Sequence, residues 1–352
     1  MPVTGPLRIA MVAPVATSVP PALSGSIETM TSLLTEGLVA SGHDVTLFAT
    51  GSSTTRARLH ATFQQGYRDD PALWPWELCE MFNLAAAIER ADAFDVIHYQ
   101  SEYYPVSLAF GRLTRTPLVQ TLHHSPAPAE VALWSRYPDA PFVAVSAEQA
   151  RLMAGLRVVG TVHHAIDVPA FAFRETPEDY LLFLGRFTEG KGPLAAIEIA
   201  RRAGLRLVLA AKRNDYYDEA IAPHVDGRDV VFVGEVGHAE KAALLGGARA
   251  LLYPVQAGEP FGLVIPEAMA CGTPVAALAR GATNELVEPG VTGGLFPDVD
   301  ALLAGLPAVM ALDRRQVRAR AEDRFGAARM VAGYEAVYRA LVAAGREEVS
   351  PR

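Results

Sequence analysis

Two glutamates, Glu259 and Glu267, stand eight positions apart in the stretch GEPFGLVIPEAMACGTPV, and the seven residues between them are all apolar or glycine. Ordinary packing calls for neither carboxylate. The run ahead of them, ARALLYPV, reads as a buried strand and the run after Gly262 as an Ala-rich helix, so Glu259 follows a strand and Glu267 lies near a helix start. A second polar group, Arg186, Glu189 and Lys191, follows the strand-like YLLFLG. In open parallel sheets ligands gather at the carboxyl ends of strands. A helix N-terminus offers free N–H groups and partial positive charge, so the amides of Gly262, Leu263 and Val264 suit a phosphate, with Arg186 and Lys191 as the opposite wall. A diphosphate is the natural guest. The plainer alternatives are a loop surface charge at Glu259, a dipole-favoured carboxylate at Glu267, a solvated lysine at 191 and an ion pair of Arg186 with Glu189 or another acid.

These groups need elements to position them. RIAMVAP, HDVTLFAT, DVIHYQ, TPLVQTLHH and PFVAVS read as strands, and SIETMTSLLTEGLVASG and ELCEMFNLAAAIERAD as helices among them. After an irregular stretch around residues 168–178 a second series begins. It runs through DYLLFLGRF, the helix GPLAAIEIARRAG, and the strands LRLVLAA, DVVFVGEV, ARALLYPV and TPVAALA. Such alternation predicts an α/β chain of two doubly wound, Rossmann-like domains, residues 1–168 and 169–325, each a parallel sheet covered by helices. A last helix, 326–346, carries Met330, Tyr334, Val337, Tyr338 and Leu341 at helical spacing and is placed to cover a sheet face, or to cross back onto the first domain; the short tail REEVSPR follows it.

Composition narrows the function. The chain has 352 residues, half of them hydrophobic, and a net charge of −8. The basic residues are scattered, which gives no footprint for nucleic acid. Only Lys191, Lys212 and Lys241 are lysines, so each lysine weighs more than usual. Cys79 and Cys271 are far apart and offer neither metal spacing nor a disulfide framework, which suits a reducing cytosol and a cytoplasmic protein. IAMVAPVA, broken by Pro14, reads as a buried first strand rather than a signal peptide, and no run reaches the ~18 apolar residues of a membrane span. Residues 1–168 hold ten arginines against fifteen carboxylates and no basic amphipathic helix, which favours a soluble acceptor over membrane contact.

The elements GRFTEGKG, VVFVGEVGHAEKAALLGGARALLYP, EPFGLVIPEAMACGTPVAALARGATNELVEPGVTGGLF and PPALSGSIETMTSLLTEGLVASGHDVTLFAT resemble those of retaining glycosyltransferases of family 4. Within it they resemble a bacterial branch that serves antibiotic and polysaccharide assembly. The resemblance implies the GT-B fold, two Rossmann-like domains facing across a cleft. It also implies a donor that is a nucleoside diphosphate sugar, UDP- or GDP-linked, no cofactor and no metal. By the same resemblance Glu267 accepts hydrogen bonds from the ribose hydroxyls, Glu259 lies near the hydroxyls of the donor sugar, and Phe261, Gly262, Leu263 and Val264 turn the chain toward the diphosphate. Arg186 and Lys191 then neutralise the leaving group, a role other glycosyltransferases give to a metal, and no Asp-x-Asp run ends a strand here.

In the first domain Gly25-Ser26 replaces a glycine pair that approaches the donor, with Ser26 alternatively a simple helix N-cap. His123 matches the histidine that approaches the donor sugar. His98 matches a cleft histidine, whereas Gln100 stands where a second is expected and His124 where a small residue is commoner; these three are acceptor-side candidates. His164-Ala165 replaces Asn-Gly, and Ala257 a frequent tryptophan. The implied reaction is glycosyl transfer with retention to a hydroxyl acceptor, small molecules on both sides, by a front-face route. A sugar-nucleotide epimerase on the same fold, or a catalytically silent sugar-nucleotide-binding partner, is the alternative.

Overall fold

The structure, a computed structural model, describes residues 4–23 and 25–349. Its contacts divide the chain into two compact units, residues 1–165 with 327–352 and residues 166–326. The helix that ends the chain thus belongs to the first unit.

In the first unit, strands β1 Arg8–Val12, β2 Asp44–Ala49, β3 Arg58–Ala61, β4 Val96–Tyr99, β5 Leu118–Thr121, β6 Pro141–Ala144 and β7 Arg157–Thr161 form one parallel sheet. The order is β3-β2-β1-β4-β5-β6-β7, so the winding reverses between β1 and β4. The central strands are buried on both faces, which is why β1 is apolar after Arg8 and shows no alternation. Helices α1 Ser26–Ala40, α2 Trp76–Ile88, α3 Tyr104–Phe110, α4 Pro128–Trp134 and α5 Ala147–Leu152 connect the strands.

The second unit has β8 Leu181–Leu184, β9 Leu207–Ala210, β10 Val230–Gly234, β11 Ala250–Tyr253, β12 Val275–Leu278 and β13 Gly293–Phe296, parallel, in the order β10-β9-β8-β11-β12-β13. Its helices are α6 Pro193–Ala203, α7 His238–Gly247, α8 Val264–Ala270, α9 Thr283–Leu286, α10 Val299–Met310 and α11 Arg314–Phe325. Here the winding reverses between β8 and β11, so the loops leaving those two strands flank the place where such sheets bind ligands.

The final helix, α12 Ala327–Val349, packs on α1, β4 and β7 and runs into the REEVSPR tail, whose residues 350–352 lie outside the described residues. Polar groups fix it as well as apolar ones. Tyr338 hydroxyl meets His98 Nδ1 at 2.6 Å, Tyr334 hydroxyl meets Thr121 Oγ1 at 2.9 Å, and Glu335 meets His43 Nε2 at 2.8 Å. α1 comes so close to it that a Cβ on Gly37 would lie 2.4 Å from Val331 Cγ2. Among the described residues no helix is long and apolar enough to cross a membrane.

At the carboxyl end of β1, α2 sends Glu80 into the protein, 1% exposed, where its Oε1 accepts from the Val15 N–H at 3.1 Å. Burial raises this carboxyl to about 7, against the pull of that N–H and of the Ser101 and Tyr67 hydroxyls nearby; no donor is aligned on Oε2. The neighbouring Glu28 is also buried and raised by burial.

Two outcomes follow from this packing. Gly37→Val should destabilise the first unit by about 1–3 kcal/mol through overpacking against Val331, read from denaturant unfolding. Glu80 holds its proton in the folded chain and loses it in the unfolded one between pH 4.5 and about 7, so its contribution to stability falls as pH rises through that window. Glu80→Gln should remove that slope and be the more stable protein at pH 8 by on the order of 3 kcal/mol, checked by unfolding both proteins at pH 4.5, 6 and 8.

Candidate active site

In the second unit the two glutamates are the most deeply set ionised candidates, Glu259 at 8% and Glu267 at 9% exposure. Each has a lysine. Lys191 Nζ and the Tyr253 hydroxyl both donate to Oε2 of Glu259, the tyrosine at 2.7 Å, and Lys241 Nζ donates to Oε1 of Glu267 at 2.6 Å. The other oxygen of each carboxylate, Oε1 of Glu259 and Oε2 of Glu267, meets no donor among the described residues. Charge-assisted bonds of this kind contribute about 1.5–3 kcal/mol each.

The local fold explains the aim of each group. Lys191 sits on a single helical turn, Glu189–Lys191, in the loop leaving β8. Gly192 closes that turn at φ +73, and a Cβ on it would lie 2.1 Å from the Pro254 carbonyl oxygen. The Gln256 N–H donates to the Gly190 carbonyl at 2.9 Å, so the loop after β8 lies directly on the loop after β11. From behind, Gly281 at φ +57 presses on the main chain of Glu259, where a Cβ would stand 2.4 Å from its nitrogen, and the Ala282 N–H donates to the Glu259 carbonyl at 2.9 Å.

Gly262 also requires its missing side chain. At φ +92 its Cβ would approach the Tyr253 hydroxyl to 2.7 Å. The helix itself begins at Val264 with Leu263 as its cap, so Gly262 precedes it by two residues rather than opening it. The N–H groups of Gly262, Leu263 and Val264 donate to nothing among the described residues. Phe261 is buried and packs edge-on against Phe325, which anchors the loop to α11. Arg186 is exposed at the end of β8, and among the described residues it makes no ion pair; the pairing with Glu189 is not formed.

Burial pushes Glu267 up while the Lys241 ammonium pulls it down, and Lys241 lies 5.4 Å from the ring of Phe171. Burial, then the adjacent Glu259, pushes the Tyr253 phenol well above its ordinary range, so it donates. Among the described residues no three His, Cys, Asp or Glu side chains gather as metal ligands.

In the first unit His123 follows β5. Its backbone N–H donates to the Tyr104 hydroxyl at 3.0 Å, its ring stacks on His164 with centroids 5.3 Å apart, and its Nε2 meets Gln100 Oε1 at 2.8 Å. Burial first, then His164, His98 and His124, keeps it well below the usual imidazole range, so it is neutral at pH 7. His98 corrects the reading of a cleft histidine. It is fully buried, both nitrogens are engaged by Tyr338 and Thr121, and it holds up α12 rather than facing a ligand. Gln100 is 2% exposed and bonded at both ends of its amide. His124 is half-exposed beside Glu130, at 3.2 Å. Gly25 is the residue that caps α1, and Ser26 is the first helical residue, so the capping role assigned to Ser26 is not realised. Gly25 is extended, and space rather than φ excludes a side chain, since a Cβ would lie 2.8 Å from Glu28 Oε2.

Three contributors escaped the sequence. Lys241, Tyr253 and Gly281 all lie inside quoted motifs, and the scarcity of lysine was a usable signal for the first.

Family models match two stretches of the chain: glycosyltransferase family 4 over residues 27–168, and glycosyl transferases group 1 over 178–311. A D-inositol 3-phosphate glycosyltransferase of Mycobacterium avium is 30% identical over 300 residues, covering 68% of this chain and 69% of that one. The chain belongs to glycosyltransferase family 4. This glycosyltransferase is also 25% identical to a phosphatidyl-myo-inositol mannosyltransferase of Mycolicibacterium smegmatis over 90% of its length and 89% of the relative's. Among solved structures it is similar to AviGT4, a glycosyltransferase involved in avilamycin A biosynthesis, at 27% identity and TM-score 0.73, covering 96% and 98% of the two chains. Anabaena HepE in complex with UDP and glucose shares the fold at 19% identity and TM-score 0.71, covering 95% and 100%. The enzyme therefore has the GT-B fold.

Lys241→Met should raise the Glu267 carboxyl further, because the charge that opposed burial is gone. A 13C titration of the Glu267 side chain would show the midpoint moving up. Stability should fall by about 1–3 kcal/mol at neutral pH and fall further as pH rises, since the raised carboxyl holds its proton only in the folded chain.

Proposed function

We propose that this glycosyltransferase moves a sugar from a UDP- or GDP-linked donor to a hydroxyl of a small-molecule acceptor, with retention and without a metal. The observation that carries the reading is the state of the two glutamates. Each has one oxygen fixed by a lysine and the other unengaged, which is what two carboxylates need in order to accept from hydroxyls of a ligand at the switch point of the sheet. Glu267 takes the ribose diol and Glu259 the hydroxyls of the sugar. The unpaired N–H groups of Gly262, Leu263 and Val264, with Arg186 and Lys191, take the diphosphate. HepE, crystallised with UDP and glucose, supports the donor class, and the D-inositol 3-phosphate named for one relative supports a small hydroxyl acceptor, whereas the phosphatidyl-myo-inositol named for another is a lipid.

The step follows from those roles. The anomeric C–O bond to the diphosphate breaks as the acceptor oxygen bonds to the same face of the anomeric carbon, and the acceptor's proton passes to the leaving phosphate oxygen. Arg186, Lys191 and the amides stabilise the charge that gathers there. Retention through a covalent intermediate needs a free carboxylate nucleophile. Glu259, which shares its Oε2 with Lys191 and Tyr253, is assigned the binding role instead, and a trapped ester on its other oxygen is the outcome that would overturn this. In the first unit His123, neutral, keeps a ring nitrogen that can accept from a hydroxyl.

Calorimetric titration with UDP, GDP, ADP and dTDP tests this. One of UDP and GDP should bind, and Glu267→Ala should weaken it by about 1–3 kcal/mol. Glu259→Gln should leave nucleotide affinity near wild type and lower donor turnover. Binding that ignores Glu267, or a trapped glycosyl ester on any carboxylate, would sink the reading.

A further inference from the structure

The geometry points to Arg318 as a positioning residue for the Lys241 and Glu267 pair: from α11 its guanidinium joins the segment packed on the start of α7 to the end of α8, and so sets the ammonium of one helix against the carboxylate of the other. This deepens, and rests on, the reading of Glu267 as a ribose-binding group.

The pair bridges two short helices. Lys241 is the fourth residue of α7 and Glu267 the fourth of α8. α8 has seven residues, too few to stand on its own hydrogen bonds, so its direction depends on what holds its ends. At its carboxyl end the carbonyls of Glu267, Ala268 and Met269 receive the N–H groups of Cys271, Gly272 and Thr273. The Ala270 carbonyl receives a guanidinium instead, from Arg318 Nη1. The same nitrogen donates to the Phe171 carbonyl at 2.5 Å. Phe171 is buried, and its ring stands edge-on to His238, the first residue of α7, with centroids 4.9 Å apart. That ring is also the one 5.4 Å from Lys241 Nζ. One nitrogen therefore links the wall beside Lys241 to the helix that bears its partner.

Arg314, one turn earlier on α11, does the same at the other end of α7. It is 8% exposed, and it donates to the Gly246 and Ala248 carbonyls, where α7 finishes, at 2.7 and 2.9 Å. It also donates to Thr273 Oγ1, just past α8, at 2.8 Å. Two guanidiniums thus join α7 to α8 and oppose the negative ends of both helix dipoles. A planar fork of donors that keeps its charge suits such a joint better than an ammonium on a flexible stem. The cations that pull Glu267 down are Lys241 first and then His238, both on α7. Arg318 acts on the carboxylate through the placement of that helix.

A 13C titration of the Glu267 side chain, with calorimetric titration by UDP and GDP, separates this role from plain helix support in the full-length protein. Arg318→Met keeps the stem and loses the guanidinium. The Glu267 midpoint should then move up, as for Lys241→Met, and affinity for the nucleotide that wild type binds should fall about tenfold. Arg318→Lys retains a charged donor and should restore most of both. Arg315→Met removes an exposed cation of the same helix, paired with Glu175, and should change neither. A wild-type midpoint in Arg318→Met overturns the assignment even if the protein is less stable, and so does an equal rise in Arg315→Met. If Arg318→Met does not fold, Phe171→Leu reads the same link by taking the ring away from Lys241: a raised midpoint supports the joint and an unchanged one overturns it. A midpoint that rises in Arg318→Met while nucleotide affinity holds keeps the positioning role and overturns the ribose reading of Glu267 instead.

Discussion

A carboxylate that is nearly closed off from water keeps its charge only if a cation is held beside it. The second unit meets that condition twice, with Lys191 on Glu259 and Lys241 on Glu267, from a chain that has three lysines in all. Much else in that unit can be understood as the scaffolding of the two pairs. The tight turn at Gly192 delivers Lys191, the loop after β12 supports Glu259 from behind, and α7 carries Lys241 across to α8. Because each lysine occupies a single oxygen, the pairs leave hydrogen-bonding capacity unspent at the place where the sheet winding reverses.

The first unit solves a different problem with neutral groups. His98 is buried among tyrosines, a threonine and an amide, and burial holds it at about 3, far from any charge change near neutrality. What such a network defines is direction: which atoms give hydrogens and which receive them. The final helix takes part through Tyr334, Glu335 and Tyr338, so the chain's last element, remote in sequence from β4 and β5, is tied to them by polar contacts that tolerate little displacement.

The strands and helices that were legible were those with a strong period or an unbroken apolar run, such as β1, β8, α1 and α12. β3, with its exposed RLHA, and β13, with two glycines among its four residues, have neither signal and exist because neighbouring strands pair with them. The glutamate pair and the residues around Lys191 could be read from type and spacing. Tyr253 could not, because an apolar strand ending in tyrosine looks like core until the chain turns back and sets a carboxylate on its hydroxyl. His98 misled for the converse reason: a polar residue at a strand end resembles a ligand group, and only the α12 tyrosines packed over it show that its partners are internal.

The support behind Glu259 is main chain rather than side chain. Gly281 rests against its nitrogen and carbonyl, and Gly192 against the carbonyl of Pro254. A wall made of backbone has nothing for point substitution to reshape: at either glycine a larger residue collides with a peptide group, which cannot repack as a neighbouring side chain can. A side chain stands nearby instead at Ala257, its Cβ 3.4 Å from the place a side chain on Gly190 would start, so substitution near Glu259 has room there and not at the backbone wall.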